Sequence, residues 1–136
     1  QYESRFVQVE ILESPSIFFK EMQKSQLPIV VAHGEGQVNF GIQGSLEQLK
    51  NQQLVAMRFV DHYGQPTLHY PLNPNGSIDG ITGITTPDGR FTALMPHPER
   101  VFRTVQMSWS PPSWQDMDNG LSPWMRMFRN ARYWIG

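Results

Sequence analysis

A continuous apolar run constrains the fold of this chain more than any other feature of its sequence. Leu27-Pro28-Ile29-Val30-Val31-Ala32 leads directly into His33-Gly34-Glu35-Gly36, a segment with two glycines. A short apolar run rich in β-branched residues and followed by turn residues predicts a strand buried on both faces. Pro28 falls at the beginning of this strand, where a missing N–H is tolerated.

Strand and helix patterns alternate along the rest of the chain. Further strands are predicted at Arg5–Leu12, Gln37–Ile42 and Leu54–Val60, and in a hairpin of Ile78–Thr86 with Arg90–Leu94 around Pro87-Asp88-Gly89. Helices are predicted at Ile17–Lys24, from the opening Gly44–Gln48, and from Ser122 onward. In the last helix an apolar stripe at helical spacing is predicted to face the core: Trp124, Phe128, Ala131 and Ile135. Apolar strands combined with short helices predict a layered α/β fold.

The composition excludes several classes of protein. The 136 residues include 11 Lys and Arg and 12 Asp and Glu, a net charge of −1, so the basic excess typical of nucleic-acid binding is missing. The sequence has no run of about 18 apolar residues that would span a membrane. It contains no cysteine, which excludes disulfides, zinc ribbons and a cysteine nucleophile within these residues. Because the first residue is Gln1 and not Met, we expect a processed chain or a piece of a longer one.

His97-Pro98-Glu99 is the strongest candidate for catalytic chemistry. The motif follows an apolar strand, and strand ends commonly carry the sites of α/β proteins. Side chains two residues apart in extended backbone point to the same side, and Pro98 fixes its own φ. Glu99 could then accept a hydrogen bond from one imidazole nitrogen of His97 and leave the other nitrogen as a base, which is half of a nucleophile–His–acid triad. The alternative is that the charge of Glu99 only favours the start of a helix.

A metal site is the other chemistry that the histidines could support. His33 and Glu35 repeat the His-x-Glu spacing, but a zinc deaminase also needs a Pro-Cys-x-x-Cys segment, and the chain has no cysteine. A set of His33, Glu35, His62 and His69 lacks the helical i, i+4 pair of a zinc protease. We therefore expect no metal-binding and no cofactor-binding residue in this chain.

Three motifs follow one another in an order that resembles a known family. They are Ala32-His33-Gly34-Glu35-Gly36, Asn73-Pro74-Asn75-Gly76-Ser77 and Met95-Pro96-His97-Pro98-Glu99-Arg100, with Arg100–Val105 and Pro123–Arg132 after them. Together they resemble the glutaminase domain of phosphoribosylformylglycinamidine synthase, the formylglycinamide ribonucleotide amidotransferase of purine biosynthesis. The resemblance covers essentially the whole chain, whereas Pro-His-Pro-Glu alone is typical of class I glutamine amidotransferases in general.

This resemblance implies a fold and a reaction. The fold is α/β, part of a mixed-sheet, flavodoxin-like class I glutamine amidotransferase domain, and residues 1–136 would be the C-terminal portion of that domain. The reaction is the release of ammonia from glutamine by a Cys-His-Glu triad, with His97 as the base and Glu99 as the orienting carboxylate. The cysteine would lie upstream, so this portion would be inactive alone.

The resemblance also implies the surroundings of the domain. Its partners would be glutamine as substrate, the upstream half of the glutaminase domain, and a synthetase body. That body, and not this chain, would bind ATP and magnesium and convert formylglycinamide ribonucleotide into its amidine. No nucleic acid and no membrane is expected as a partner, and the enzyme would be cytoplasmic.

A non-catalytic binding or scaffolding domain of amidotransferase-like fold is the alternative, because the chain lacks a cysteine. Residues 106–121, rich in Pro, Ser and Trp, are predicted to form a long ordered loop that either docks on the synthetase body or packs on its own domain. His33–Gly36 either lies near the glutamine pocket or the synthetase interface, or is only a tight turn. Asn73–Ser77 is predicted to be a turn that shapes the wall of the site.

Overall fold

The computed structural model describes residues 2–41 and 45–136. Over these residues the strands are β1 (Glu3–Ile11), β2 (Gln26–His33), β3 (Val55–Val60), β4 (Ile81–Thr85) and β5 (Thr92–Leu94). The helices are α1 (Ser45–Asn51) and α2 (Met125–Ile135), and short 3₁₀ turns lie at Ile17–Phe19, Ile78–Gly80, Pro98–Arg100, Thr104–Gln106, Pro112–Trp114 and Met117–Gly120. Within these two ranges no helix is long and apolar enough to cross a lipid bilayer. The α/β class is confirmed.

The strands form a five-stranded sheet in the order β2-β1-β3-β4-β5. β1 pairs with β2 along nearly its whole length, from Glu3↔His33 to Glu10↔Gln26, and its second half also pairs with β3. Every pair of neighbouring strands among the described residues is antiparallel. The mixed sheet implied by the resemblance would therefore need parallel strands from outside these residues.

The sheet curls until its two edges meet. The N–H of Met95 donates to the carbonyl of Thr82 (3.1 Å), which continues the pairing of β5 with β4. Two residues later the N–H of His97 donates to the carbonyl of Val30 (2.8 Å) on the outer edge of β2, and these two residues form an antiparallel bridge. Residues 95–97 thus connect β5, at one edge of the sheet, to β2, at the other edge.

The apolar run of β2 is fully buried on one face, while on the other face Val30 and Ala32 are half-buried, so the prediction of a strand buried on both faces is confirmed only in part. Leu27, Ile29 and Val31 are at most 5% exposed on one face, and Pro28 is buried on the other. A strand at an edge would ordinarily be accessible to water and to other chains. Here the residues around His97 and the start of α2 cover that edge.

The core lies between one face of the sheet and a layer made by α2 and the Ile17–Phe19 turn. Seven strand residues in it are 0% exposed: Val9, Ile11, Ile29, Val31, Ala56, Met57 and Phe59. From the helical side Phe19 and Trp124, also 0% exposed, complete it. Each such side chain contributes about 1.5–3 kcal/mol when it is removed from water, so these contacts fix α2 on the sheet.

The helix predicted at Ile17–Lys24 is wrong beyond its first turn. Only Ile17–Phe19 is helical, and it is a 3₁₀ turn. Glu21 has a φ of 63°, a left-handed conformation that an α-helix cannot contain. The carbonyl of Lys20, free of helical bonding, instead accepts a hydrogen bond from Nδ2 of Asn130 in α2 (2.8 Å). Tertiary contact with α2 therefore overrides the local helical pattern.

Two further predictions are corrected in part. Residues 37–41 contain no strand, and Ile42, the last residue of the strand predicted there, lies outside the described residues. In the last helix the predicted apolar stripe is right for Trp124 and Phe128, which pack in or against the core, but wrong for Ile135, which is 75% exposed. Met127 and Asn130 are buried beside the stripe, so a polar anchor also faces the core. The helix predicted from Gly44–Gln48 is confirmed as α1, with Gly44 itself outside the description.

The long loop of residues 106–121 packs partly on its own domain. Met107 is 9% exposed and belongs to the core, and Trp114 packs against that core. Trp109 is 61% exposed. The 3₁₀ turns of this loop agree with an ordered segment.

The predicted hairpin around Pro87-Asp88-Gly89 is confirmed, but its strands are shorter than the predicted Ile78–Thr86 and Arg90–Leu94, because Ile78–Gly80 is a 3₁₀ turn and the second strand begins at Thr92. β4 and β5 pair as predicted, and Gly89 has a φ of 69°, as the turn requires. Oδ1 of Asp88 accepts hydrogen bonds from the Thr86 hydroxyl (2.6 Å) and from the N–H of Arg90 (3.1 Å). The first of these, with help from the second, lowers the pKa of the Asp88 carboxyl. The turn is therefore closed by a carboxylate as well as by the backbone.

Gly89→Ala is expected to destabilise the chain by about 2–4 kcal/mol, because the new Cβ would combine a left-handed φ with overlap on the carbonyl of Pro15. Gly120→Ala is the matched control, since Gly120 has a φ of 82° but open space around it. It should cost only about 1 kcal/mol. Urea unfolding measures both free energies, and equal losses would contradict the packing of this turn.

Candidate active site

His97 and Glu99 lie directly after β5, where the chain turns from the sheet into a short 3₁₀ segment. His97 occupies the position before Pro98–Arg100, and Pro98 is buried. Nδ1 of His97 lies 2.7 Å from Oε1 of Glu99, so the imidazole N–H donates to the carboxylate. The side chain of His97 is 31% exposed and that of Glu99 is 56% exposed, which leaves the pair accessible from solvent. The contact that the spacing predicts is present.

The backbone of β2 fixes the other side of His97. Its N–H is bonded to the carbonyl of Val30, and its Nε2 lies 3.3 Å from the carbonyl of Ala32. When Nδ1–H donates to Glu99 in a neutral imidazole, Nε2 holds a lone pair and can take a proton. In the imidazolium both nitrogens are donors, and Glu99 and the Ala32 carbonyl are both acceptors. The surroundings can therefore support a base that gains and later returns a proton.

The segment after Ala32 forms the adjoining wall of the site. The imidazole of His33 lies across Gly36 so closely that a Cβ at Gly36 would overlap the ring. Nε2 of His33 is buried and has no hydrogen-bond partner among the described residues. Gly36 is thus required for close approach of a side chain, which is one reason for a glycine in this turn.

The Asn73–Ser77 turn is hydrogen-bonded to that segment. Nδ2 of Asn75 donates to the carbonyl of Gly36, and Nε2 of Gln37 donates to the carbonyl of Gly76 (3.1 Å). The N–H of Val38 donates to the hydroxyl of Ser77 (3.3 Å). Three contacts therefore hold two distant parts of the sequence together.

Asn73 explains why this turn is rigid. The residue is 1% exposed, and its Nδ2 donates to the carbonyls of Thr67 (3.0 Å) and Ser77 (2.9 Å). Its Oδ1 accepts from the N–H of Ser77 (3.1 Å). A buried amide with all these partners stabilises one conformation, because each group left unpaired would cost about 1–3 kcal/mol.

A cleft of about 600 Å³ lies where these two segments meet, and it is lined by Glu3, His33, Gly34, Glu35, Gly36, Gln37, Pro74 and Asn75. One carboxylate of its wall is paired, since Glu3 bonds to Arg5 at 2.7 Å. On the neighbouring turn, a hydrogen bond and ion pair with Asp79 raise the pKa of Lys50, which ties α1 to the residues after Ser77. The motifs around His33 and Asn75 thus meet at this cleft. Neither His97 nor Glu99 lines it, and His97 is connected to it through Ala32, whose carbonyl lies 3.3 Å from Nε2.

The structure does not assemble the four-residue set considered for a metal. His62 and His69 are exposed in the β3–β4 connection. Within residues 2–41 and 45–136, no three His, Asp or Glu side chains come close enough together to hold a metal ion.

Three features of the site were missed by sequence reasoning. These are the main-chain carbonyls of Val30 and Ala32 that hold His97, the contact between Asn75 and Gly36, and the buried pair Ser122 and Trp124 beside this segment. The residue types in a sequence do not show which main-chain carbonyls accept hydrogen bonds from a distant side chain. The position of Pro28 in an apolar strand was the one sequence sign that the outer edge of β2 carries something other than another strand.

Comparison with known proteins places the chain in a family. The model of the CobB/CobQ-like glutamine amidotransferase domain family matches residues 1–135, so the chain belongs to that family. The amidotransferase resemblance is thereby confirmed.

The fold is also similar to that of a solved structure. The structure is described as "Structure of PurLQS from Thermotoga maritima", with a TM-score of 0.63 and 20% sequence identity. The match covers 100% of this chain and 49% of that one, so the chain spans about half of the length of the protein that it matches. At this identity the likeness concerns the fold.

Asn75→Ala is expected to loosen the loop that follows β2. Oδ1 of Asn75 accepts from the Ser77 hydroxyl (2.8 Å), which itself accepts from Val38, and both contacts weaken without the amide. Amide exchange at Val38 should become about fivefold to tenfold faster in hydrogen-exchange measurements. Asn51→Ala, at the exposed end of α1, is the control and should change nothing there. Equal protection of Val38 in the two variants would contradict the coupling of the two segments.

Proposed function

We propose that this chain is the C-terminal portion, residues 1–136, of the glutaminase domain of a phosphoribosylformylglycinamidine synthase. Membership in the glutamine amidotransferase family and the fold shared with the PurLQS structure support the proposal. The observation that carries it is the hydrogen-bonded pair His97–Glu99, held 3.3 Å from the carbonyl of Ala32 at the start of the Ala32–Gly36 motif.

In this proposal His97 is the base of a Cys-His-Glu triad. Nε2 takes the proton of a cysteine thiol, and the thiolate attacks the side-chain amide carbon of glutamine. The carbon–nitrogen bond then breaks, the imidazolium gives its proton to the leaving ammonia, and a thioester remains for water to hydrolyse. Glu99 holds the ring through Nδ1 and stabilises its positive charge.

The nucleophile has to come from elsewhere, since this sequence contains no cysteine. The proposal places it on the upstream part of the same domain, and residues 1–136 alone are then inactive. The loop at His33–Gly36 and the turn at Asn73–Ser77 form the wall of the glutamine pocket. This assignment is supported by the cleft between them.

The ammonia passes to a synthetase body that uses ATP and magnesium to convert formylglycinamide ribonucleotide into its amidine. No residue of this chain is proposed to bind ATP or magnesium. Glutamine, the upstream half-domain and the synthetase body are the partners in this proposal. Nucleic acid and membranes are not among them, and the enzyme works in the cytoplasm.

His97→Ala in the intact enzyme is expected to lower glutamine-dependent turnover by about 10²–10⁴-fold, because the thiol loses its base. Synthesis from added ammonia should keep most of its rate, because that route bypasses the triad. His62→Ala, an exposed histidine far along the chain from the motifs, is the control and should leave both rates unchanged. Steady-state assays with each nitrogen donor measure the effect.

Two outcomes would contradict the proposal. Equal loss with glutamine and with ammonia would mean that His97 maintains the fold and does not act on glutamine. Unchanged glutamine-dependent turnover would favour the scaffolding function.

A further inference from the structure

We infer that Ser122 and Trp124, at the start of α2, are positioning residues for His97. This inference rests on the proposed function of His97. Among the described residues, neither is hydrogen-bonded to the imidazole, whose ring nitrogens lie against Glu99 and the carbonyl of Ala32. Together with β2 and the turn after His97 they complete a closed circuit of hydrogen bonds that fixes where the ring lies.

The first part of the circuit is the outer edge of β2. Carbonyls of alternate residues in a strand point to the same edge. Those of Pro28, Val30 and Ala32 point away from β1. The first two accept from the indole Nε1–H of Trp124 (2.8 Å) and from the N–H of His97 (2.8 Å). The carbonyl of Ala32 lies 3.3 Å from Nε2 of His97 and accepts a hydrogen bond from it when the ring is an imidazolium. Trp124 therefore binds the same row of acceptors that holds His97.

Pro28 makes this arrangement possible. The N–H and C=O of a residue in an antiparallel strand point to the same edge. The N–H that Pro28 lacks would therefore have pointed to the outer edge, and its absence removes no hydrogen bond to β1. Another strand pairing at that outer edge would find an acceptor at Pro28 but no donor. A side-chain donor such as the indole of Trp124 suits a position with an acceptor and no donor.

The second part of the circuit is the turn that carries Glu99. Val101 closes this turn, with its N–H donating to the carbonyl of Pro98 (3.1 Å). The hydroxyl of Ser122 donates to the carbonyl of Val101 (2.5 Å), and the N–H of Ser122 donates to the carbonyl of Phe102 (2.8 Å). The far end of the turn is thereby attached to the start of α2.

The circuit is closed within the first residues of α2. The N–H of Trp124 donates to the hydroxyl of Ser122 (3.2 Å), and the indole of the same residue reaches back to β2. The turn from His97 to Val101 is thus held at its beginning by β2 and at its end by Ser122, and Trp124 fixes the distance between those two supports.

Burial makes these bonds specific. Trp124 and Val101 are 0% exposed and Ser122 is 2% exposed, so water cannot take the place of a lost donor. If the carbonyl of Pro28 or Val101 lost its hydrogen-bond donor, it could find another one only through movement of the backbone. Such movement is transmitted to His97 through Val30 or through Pro98. Displacements of about 1 Å in catalytic groups reduce rates by up to about 100-fold.

Trp124→Phe in the intact enzyme tests the inference, because it removes the indole N–H and keeps an aromatic ring. We expect glutamine-dependent kcat to fall about tenfold, while KM for glutamine and the ammonia-dependent rate stay within about twofold. Amide exchange of residues 97–101 should become faster. Trp134→Phe makes the same chemical change at an exposed tryptophan near the end of α2 and should alter none of these quantities.

Ser122→Ala is the second variant and decides the question if Trp124→Phe does not fold. It removes the bonds to Val101 and Trp124 with almost no change in volume, and the same fall in glutamine-dependent kcat alone is expected. The inference is overturned if these variants match Trp134→Phe, or if the ammonia-dependent rate falls equally, which would indicate a purely structural role. His97→Ala separates the two proposals: if it abolishes glutamine turnover while Trp124→Phe does not affect it, only the positioning role fails.

Discussion

The hydrogen bond from the N–H of His97 to the carbonyl of Val30 is the contact on which the arrangement of this chain depends. It joins the segment after β5 to the outer edge of β2 and so brings the two ends of the five-stranded sheet together. Without it β2 would expose an apolar edge, and the segment of His97 would have no fixed partner. One backbone contact therefore serves both the closure of the sheet and the placement of the candidate base.

The rest of the site is organised around that contact. The carbonyl of Ala32 approaches Nε2, and the carboxylate of Glu99 binds Nδ1, so both ring nitrogens have a defined environment. The following loop is stabilised by Asn75, which itself belongs to a turn held by the buried amide of Asn73. Main-chain atoms and amide side chains thus determine the geometry of the site, and they fix the position of the pair His97–Glu99.

Much of the fold follows from local pattern. The apolar runs of β1, β2 and β3, and the hairpin around Gly89, were predictable because strand residues and turn residues alternate there clearly. The contact between His97 and Glu99 was also predicted, but from an extended backbone, whereas Pro98–Arg100 forms a 3₁₀ turn and Glu99 reaches the ring from within that turn. The catalytic role of the pair remains a proposal.

Other parts were not predictable, for reasons that can be named. The helix expected at Ile17–Lys24 is replaced by a 3₁₀ turn because Asn130 of α2 binds a carbonyl that an α-helix would have used. The exposure of Ile135 has a different reason, since Tyr133, Trp134 and Ile135 on different sides of α2 are all more than half exposed and its last turn extends beyond the core. In the first of these cases a long-range hydrogen bond outweighs the local preference, and residue types along the chain do not reveal its partner.

The central claim is tested most directly by a structure of the intact enzyme trapped as its glutamyl thioester. We predict that the sulfur of an upstream cysteine lies within about 3.5 Å of Nε2 of His97 and that Nδ1 keeps its bond to Glu99. A thioester sulfur remote from His97, with another side chain acting as its proton acceptor, would contradict the account.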